Sequence, residues 1–234
     1  MSKMTLQTRQ GFLQRTPLFQ HLDAEEIARV AGICTEKRIE RGRAVFHEAD
    51  PGGSLYVIVA GSIKILITAE DGREHILGIL GQGDYFGELS LIDREPRSAT
   101  AIALDTTQML TIERADFVRL LRESPGISLH IMEELTQRLR RTDKHVETLA
   151  FLKAPGRVAK VLLELVEGEY GASDDVIELP GRMTRQELGD MVGLSRETLT
   201  RILMSFQKDG LIKIERSRIQ ITDPKRLREQ LIQP

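Results

Sequence analysis

Short apolar segments alternate with turn residues between positions 37 and 112, and this pattern restricts the possible folds more than any other feature. Each segment has about five residues and the segments recur roughly every ten, as short antiparallel strands do. Pro51-Gly52-Gly53 and Asp71-Gly72 separate neighbouring segments, and an Asp-Gly pair is typical of a β-hairpin. The pattern predicts a β-sandwich, barrel or roll, preceded by a helical region over residues 16–32 in which Asp23 is the N-cap.

The end of this β segment, residues 83–100, carries the side chains of a candidate binding site. Glu88 supplies a carboxylate, and Arg97 and Ser98 follow later in the segment, next to the small residue Ala99. A guanidinium beside a hydroxyl and main-chain N–H groups is suited to an anion, most simply a phosphate. The segment therefore predicts a site for a small anionic molecule.

A much longer helix is predicted from Ser124 as the N-cap and Pro125 in the first turn. Along it, residues at alternating steps of three and four form an a/d seam: Met132, Leu135, Leu139, Thr142, Val146 and Leu149. Most positions between them are charged, so we expect the helix to pair with a second copy of itself. The alternative is a helix that packs on its own β domain. Thr142, the polar member of the seam, indicates either control of register or contact with something polar.

Ala154-Pro155-Gly156 interrupts the helical pattern and predicts a domain boundary. The elements expected after it are a helix over 157–166, a loop over 168–175, a strand over 176–179, two helices within 183–210 and two strands over 211–214 and 218–221. Thr184 with Glu187 forms a capping box, Gly193 makes a tight turn and Ser195 caps the next helix. This order predicts a winged helix-turn-helix, in which Arg216-Ser217 joins the strands of the wing.

The second of these helices carries polar side chains suited to DNA. Arg196, Glu197 and Arg201 lie near its N-terminal end and away from its apolar face, where side chains of a helix-turn-helix reach base edges. Residues near the two helix starts are expected to contact phosphates: Thr184, Arg185, Gln186, Ser195 and Thr198. The alternative is an ordinary solvated charged face.

Composition limits the remaining possibilities. A chain of 234 residues is long enough for two domains, and its net charge of −2 conceals a basic C-terminal end. No apolar run approaches the roughly 20 residues of a membrane span and no leader is recognisable, so we expect a cytoplasmic protein. The single cysteine, Cys34, excludes an internal disulfide. No metal-ligand cluster or nucleophile–base set is evident after Pro155, so we expect neither an enzyme nor a metal protein.

Three motifs together resemble the cyclic AMP receptor and fumarate/nitrate regulator (Crp/Fnr) superfamily, most nearly its cyclic AMP receptor (catabolite activator) branch. They are GELSLIDREPRSAT, TLAFL at the end of the long helix and TRQELGDMVGLSRETLTRIL from Thr184 to Leu203. The resemblance implies an α+β protein with an N-terminal cyclic-nucleotide-binding β-roll (jelly roll), a central dimerisation helix and a C-terminal winged helix-turn-helix. The expected divisions are 1–124, 125–153 and 154–234.

The resemblance also implies roles for individual residues. Glu88 would bond the ribose hydroxyl, and Arg97 and Ser98 the cyclic phosphate, while Thr142 would touch adenine. The other expected contributors to the pocket are Gly87, Leu89, Ala99, Ile65 and Leu77. Asp143 stands where the cyclic AMP receptor has a serine that reaches adenine across the dimer, so it bears on nucleotide choice. Arg196, Glu197 and Arg201 match the base-reading triplet, which implies a palindrome of TGTGA-like half-sites, and RNA polymerase is an expected partner.

Two other functions stay open at this point. A regulator of the same fold could be independent of an effector, or gated by another ligand such as a cyclic dinucleotide, and Asp143 keeps that alternative open. A cyclic-nucleotide domain fused to an enzyme is the more remote alternative.

Overall fold

The computed structural model describes residues 4–167, 176–178, 184–215 and 218–231. The chain divides into two compact units, Met1–Ile67 with Leu77–Arg138 and Thr68–Ile76 with Leu139–Pro234. The predicted loop over 168–175, the predicted strand end at 179 and the turn at Arg216-Ser217 lie outside the described residues.

Two α-helices open the first unit, α1 (Leu6–Leu13) and α2 (Ala24–Ile33), with a 3₁₀ turn at Pro17–Phe19 between them. The single helical region predicted over 16–32 is therefore wrong at its start, because Pro17 begins a separate short turn. Asp23 caps α2 as predicted, and its carboxylate accepts from the backbone N–H groups of Glu25 and Glu26. Helix α1 escaped prediction because Leu13 is its one buried side chain, too little for an apolar stripe.

The β domain consists of two four-stranded sheets with antiparallel pairing. In chain order the strands are β1 (Thr35–Ile39), β2 (Ala44–Phe46), β3 (Ser54–Ala60), β4 (Ile63–Thr68), β5 (Glu74–Leu80), β6 (Tyr85–Phe86), β7 (Thr100–Ala103) and β8 (Thr107–Glu113). The strand order is β1-β8-β3-β6 in one sheet and β2-β7-β4-β5 in the other. The register pairs Leu55 with Ile112 and Val57 with Leu110, all fully buried. The predicted β-roll is thereby confirmed.

Three further helices belong to this part of the chain: α3 (Leu89–Ile92) follows β6, α4 (Arg114–Glu123) follows β8, and α5 (Pro125–Phe151) follows α4. Helix α5 begins at Pro125 as predicted, and the hydroxyl of Ser124 donates to Glu26 Oε1 at 2.7 Å. Ile127 and Ile131 of α5 are buried in the core that α1, α2 and the β1–β8 sheet share, and Leu135 packs against that core. The alternative of a helix packed on its β domain therefore holds for the first turns of α5.

Further along α5, the apolar face is open. Met132, Leu139 and Val146 are 56%, 62% and 60% exposed, at steps of seven residues. Thr142 and Asp143 are also exposed. Leu149 belongs to the same exposed row.

The second unit continues with α6 (Ala154–Glu167), β9 (Val176–Glu178), α7 (Arg185–Val192), α8 (Arg196–Lys208), β10 (Ile212–Glu215), β11 (Arg218–Ile221) and α9 (Pro224–Glu229). The strands form one antiparallel sheet in the order β10-β11-β9, so the wing has a third strand that the sequence pattern had placed apart. Helix α6 begins at Ala154 and not after Gly156, because a proline fits the first turn of a helix. A Cβ atom on Gly156 would lie 2.9 Å from Gln230 O, so this glycine permits α6 to approach the end of α9.

Within the described residues, no helix is both long enough and apolar enough to cross a membrane.

Candidate ligand and nucleic-acid sites

The loop between β6 and β7 folds back on itself through Gly87 and α3. Gly87 has a φ of 87°, a conformation that glycine adopts without steric cost. A Cβ atom at this position would lie 2.7 Å from Arg97 Nη1. The absence of a side chain therefore lets the guanidinium reach the Gly87 carbonyl.

Arg97 is 5% exposed, and its guanidinium is held on several sides. Nη1 donates to Gly87 O at 2.7 Å and to Ser90 Oγ at 2.8 Å, and Nη2 donates to Ser54 O at 2.9 Å. Its Cζ atom lies 4.2 Å from the centre of the Phe46 ring, a cation–π contact. Burial lowers the pKa of Arg97, yet arginine stays charged in proteins. Among the described residues, the buried Nε of Arg97 has no hydrogen-bond partner.

Glu88 is 1% exposed and uses one of its two carboxylate oxygens. Oε1 accepts from Arg138 Nη1 at 2.6 Å, and Arg138 Nη2 donates to Tyr85 O at 3.1 Å. Oε2 is buried and has no partner within the part of the chain that the structure describes. Burial raises the pKa of Glu88, and the positive charges of Arg138 and Arg97 oppose that rise. The loop thus presents a buried acceptor on Glu88 and a buried donor on Arg97.

The other residues predicted for the pocket have varied surroundings. Ala99 is buried and Ser98 is exposed, directly after Arg97. Leu77 is 55% exposed, Leu89 is also exposed and Ile65 is half-buried. The structure thus brings Gly87, Glu88 and Arg97 together, whereas Thr142 and Asp143 belong to the second unit.

Four residues of this site were missing from the sequence-based prediction: Ser54, Ser90, Phe46 and Arg138. Ser90 and Phe46 sit in ordinary helical and strand patterns, so nothing in the sequence singles them out. Arg138 belongs to the charged positions between the seam residues, which the heptad pattern assigns to solvent. Its bond to Glu88 requires two segments 50 residues apart to meet.

The helix-turn-helix is formed by α7 and α8. The Thr184 hydroxyl accepts from Glu187 N, and Glu187 Oε2 accepts from Thr184 N, so the predicted capping box is confirmed. Gly193 ends α7 with a φ of 69°, and the Ser195 hydroxyl caps α8. The sequence-based prediction did not include Gly189, although an isolated glycine inside a helical pattern can indicate a close packing contact. A Cβ atom on it would lie 2.7 Å from Leu194 O, so the turn packs directly against α7.

The polar face of α8 is open. Arg196, Glu197 and Arg201 are exposed, while the opposite face is buried through Leu199, Ile202, Leu203 and Phe206. Hydrogen bonds from its own backbone N–H and from Ser195 lower the pKa of Glu197, which favours its charged form. The helix therefore presents two guanidinium groups and a carboxylate at its N-terminal end.

The residues predicted to meet phosphates differ in their availability. Thr184 and Ser195 use their hydroxyls as caps, and Gln186 Nε2 donates to Asp190 Oδ1 at 2.8 Å. Arg185 and Thr198 are half-buried. The buried Nη1 of Arg185 has no hydrogen-bond partner among the residues described.

Comparisons with known proteins agree with both halves of the chain. Residues 36–124 match the cyclic nucleotide-binding domain family, and residues 156–230 match the Crp-like helix-turn-helix domain family. The chain is 35% identical over 215 residues to the CRP-like cAMP-activated global transcriptional regulator of Mycobacterium tuberculosis, which covers 92% of this chain and 96% of that protein. It is 30% identical over 217 residues to the cyclic AMP receptor protein of Thermus thermophilus, with 93% and 97% covered.

One solved structure adds a different ligand to the comparison. The c-di-GMP responsive global regulator CLP of Xanthomonas campestris is 30% identical, with a TM-score of 0.76 over 85% of this chain and 99% of that one. The two matched domains follow each other in this order, and the similarity to the relatives extends over nearly their full length. The chain therefore belongs to the Crp/Fnr superfamily of DNA-binding transcription regulators, on its cyclic AMP receptor (catabolite activator) branch.

Proposed function

We propose that the chain is a homodimeric transcription regulator whose sequence-specific DNA binding is controlled by a cyclic mononucleotide, cyclic AMP in the first place. It works in the cytoplasm, it has a regulatory and not a catalytic role, and RNA polymerase is its partner at promoters. The observation that carries the effector proposal is the pair of buried, unsatisfied atoms in the loop between β6 and β7, Glu88 Oε2 and Arg97 Nε, for which the described residues offer no partner.

These two atoms match the chemistry of a cyclic nucleotide. Burying an unpaired polar atom is unfavourable, by about 1–3 kcal/mol for each group, so a ligand that pairs both atoms gains affinity. A phosphate oxygen accepts from the Arg97 guanidinium, and a ribose hydroxyl donates to the free oxygen of Glu88. The hydroxyl of Ser98 and the backbone at Gly87 and Ala99 would add contacts to the phosphate. Leu89, Ile65 and Leu77 would contribute apolar contact.

Thr142 and Asp143 are the proposed contacts of the base. Thr142 can accept from or donate to adenine, whereas a charged Asp143 can only accept. The adenine amino group is a donor, so Asp143 is compatible with it. Asp143 also adds negative charge to the site of an anionic ligand, which opposes tight binding.

The exposed apolar row of α5 supports the proposed dimer. Met132, Leu139 and Val146 recur at steps of seven residues, the spacing at which two helices supercoil around each other. In a two-fold dimer, both copies of each of these side chains would be buried in the interface. Two α8 helices related by that symmetry would read the two halves of a palindrome.

The exposed end of α8 supports sequence-specific binding. Arg196 and Arg201 can each bond a guanine bidentately, and Glu197 can accept from cytosine. This combination is suited to a half-site that contains G·C pairs, and we propose a TGTGA-like sequence. The predicted phosphate contacts, Thr184, Arg185, Gln186, Ser195 and Thr198, would set the position of α8 on the duplex.

Calorimetry and gel shifts test the proposal. Titration with cyclic AMP should give a saturable heat signal, and cyclic AMP should increase the affinity for a palindrome of TGTGA-like half-sites. Without heat or a change in DNA affinity, cyclic AMP is not the effector. A palindrome with both half-sites scrambled is the control for sequence preference.

A second candidate, control by a cyclic dinucleotide, has a specific observation in its favour. The c-di-GMP responsive regulator CLP shares the fold, and Asp143 departs from the serine expected for a cyclic AMP receptor. Cyclic di-GMP in the same titration separates the two proposals. DNA binding that responds to neither nucleotide would favour a regulator that is independent of both.

A further inference from the structure

We propose that Ser90 and Phe46 are positioning residues for the phosphate: they hold the Arg97 guanidinium so that its buried Nε–H is directed at the ligand. The inference rests on the function proposed above, because it concerns the same arginine and the same ligand group. All of the residues involved belong to the first unit.

Hydrogen bonds fix the rotation of the guanidinium within its own plane. A guanidinium has five N–H donors in a rigid planar arrangement. Nη1 carries two of them, and these donate to Gly87 O at 2.7 Å and to Ser90 Oγ at 2.8 Å. Nη2 donates to Ser54 O at 2.9 Å. Gly87 O and Ser90 Oγ thus accept from both N–H groups of Nη1.

Ser90 is itself held in place. It is buried in α3, and its hydroxyl approaches Gly87 O at 3.5 Å, the carbonyl that also accepts from Arg97. A Cβ atom on Gly52 would lie 2.2 Å from Ser90 Oγ, so Gly52 leaves the room that this hydroxyl occupies. The serine side chain therefore has little freedom to leave Arg97.

Phe46 fixes the plane of the guanidinium. The Cζ atom of Arg97 lies 4.2 Å from the centre of the Phe46 ring and 5.8 Å from that of Tyr56. Phe46 packs against Tyr56 and Phe86, each with its centroid 5.8 Å away, and these two rings stack at 5.1 Å. An aromatic cluster of this kind holds the Phe46 ring rigidly. The ring sets the tilt of the guanidinium, and the Ser90 hydroxyl sets its rotation.

The consequence lies at Nε. This atom is buried and, within the described part of the chain, has no hydrogen-bond partner. A buried donor without an acceptor is unfavourable, and such a group calls for an explanation in a native structure. A phosphate oxygen of the ligand that accepts from Nε–H would explain why this donor has no partner in the protein. If Ser90 or Phe46 changes, the guanidinium can rotate or tilt, and this donor loses its direction.

Phosphorothioate analogues provide the test, because a non-bridging sulfur accepts hydrogen bonds poorly and can occupy either of two stereochemical positions. A directed N–H donor should prefer one diastereomer of the cyclic AMP analogue. We expect the affinities of the wild-type chain for the two diastereomers to differ by about tenfold. This is the effect of losing one hydrogen bond to a charged group. Ser90→Ala and Phe46→Leu should each weaken cyclic AMP binding and reduce that discrimination to about twofold or less.

Two variants make the result specific. Phe46→Tyr keeps the ring face and should retain the wild-type discrimination. Ser62→Ala removes a hydroxyl that donates to Asp105 Oδ2 at 2.7 Å in the same domain, and should leave both quantities unchanged. The comparison of Phe46→Leu with Phe46→Tyr tests the inference even if Ser90→Ala does not fold.

The outcomes separate the inference from the function on which it rests. Equal losses for cyclic AMP and both analogues, with the discrimination intact in Ser90→Ala and Phe46→Leu, would mean a structural role only and overturn the inference. A wild-type chain that binds both diastereomers equally would also overturn it and leave the proposed function standing. A wild-type chain that binds no cyclic nucleotide would overturn both.

Discussion

The Nε2 atoms of His75 on β5 and His145 on α5 lie 3.1 Å apart, so the two imidazole rings share a hydrogen bond. Such a bond needs one ring to donate N–H and the other to accept through an unprotonated nitrogen. A single added proton is compatible with it, but two protonated rings would face each other with their N–H groups. Lys160 and Arg157 of α6 add positive charge nearby. The contact that His145 makes is therefore sensitive to acid.

The first prediction concerns pH. Burial, and then the neighbours His75, Lys160 and Arg157, lower the pKa of His145 from its ordinary value of 6.5. A base whose pKa is lowered by folding stabilises the fold above its ordinary pKa and loses this contribution as the pH falls through the folded value. Between pH 7.5 and 5, the unfolding free energy of wild type should fall by about 1 kcal/mol more than that of His145→Gln. This difference is the net contribution of one hydrogen bond to stability. Urea unfolding across this range measures it.

His47→Gln is the control for that experiment, because His47 is exposed on the surface. It should follow the wild-type pH curve. Parallel curves for wild type and His145→Gln would show that protonation of His145 is not linked to folding.

The second prediction concerns Glu88→Gln. Burial raises the pKa of Glu88, so the ionised carboxylate costs stability above its ordinary pKa of 4.5 and this cost disappears in acid. At pH 7 the variant should be as stable as wild type to within about 1 kcal/mol, because an amide oxygen still accepts from Arg138. Cyclic AMP affinity should nevertheless fall by about tenfold, since the ribose hydroxyl loses a charged acceptor.

Calorimetry with parallel thermal unfolding separates these two effects. Glu40→Gln, which alters an exposed ion pair with Arg38 in the same domain, should change neither quantity. A Glu88→Gln protein with unchanged affinity would remove this carboxylate from the ligand site.

The third prediction concerns the α8 residues. Arg196→Ala should cost about 1–3 kcal/mol against the preferred half-site and relax the preference at one base pair, because a bidentate contact is lost. Cyclic AMP affinity should stay the same. Gel shifts on a set of single-base variants of the half-site measure the change.

Lys208→Ala, at the opposite end of α8, is the matched control and should leave base preference unaltered. If Arg196→Ala weakened all sequences equally and kept the preference, Arg196 would be a phosphate contact and not a base reader.

The fourth prediction concerns the exposed row on α5. Leu139→Glu should dissociate the proposed dimer, because a two-fold interface buries both copies of Leu139 and each is worth about 1.5–3 kcal/mol. Sedimentation equilibrium should show a dissociation constant raised by about a hundredfold or more.

Leu129→Glu is the comparison, since Leu129 is similarly exposed on α5 but lies outside the predicted seam. It should leave the association unchanged. A dimer disrupted by Leu129→Glu and not by Leu139→Glu would place the interface on another face of the helix.

The fifth prediction concerns Gly189. A Cβ atom there would meet Leu194 O at 2.7 Å, so Gly189→Val should distort the turn between α7 and α8 and lower DNA affinity by at least about tenfold. Gly11→Ala in α1 is the control, because a Cβ atom at Gly11 meets nothing within 4 Å. Gel shifts compare the two variants. Gly189→Val with wild-type affinity would mean that the turn tolerates the displacement.

Local signals in the sequence were sufficient to predict most of the helices and strands. Asp23, Thr184 and Ser195 cap their helices as predicted, because the cap residue and its partners lie within one helical turn. Most strands of the β domain follow from alternation and turn residues, but β1 and the two-residue strand β6 were not predicted. Helix α3, with four residues, and α9, with six, are too short for a periodic pattern to identify.

The candidate site depends on contacts that local patterns do not contain. Glu88 and Arg97 were identified because they are close in sequence and chemically suited to a ligand. The bond from Arg138 to Glu88 and the position of Phe46 beneath Arg97 arise only when distant segments pack together. The residues that contact Glu88 and Arg97 from distant segments therefore escaped prediction.

The pairing of β9 with β11 has a consequence for how the DNA-binding half is made. Because these strands flank α7 and α8 in the chain, both helices lie within a segment whose ends are joined by the sheet. On a translating ribosome, α8 emerges before β11 and cannot yet be supported by the closed sheet. We therefore expect nascent chains that stop short of residue 221 to lack a stable DNA reader, so that operator binding becomes possible only when synthesis has passed the wing.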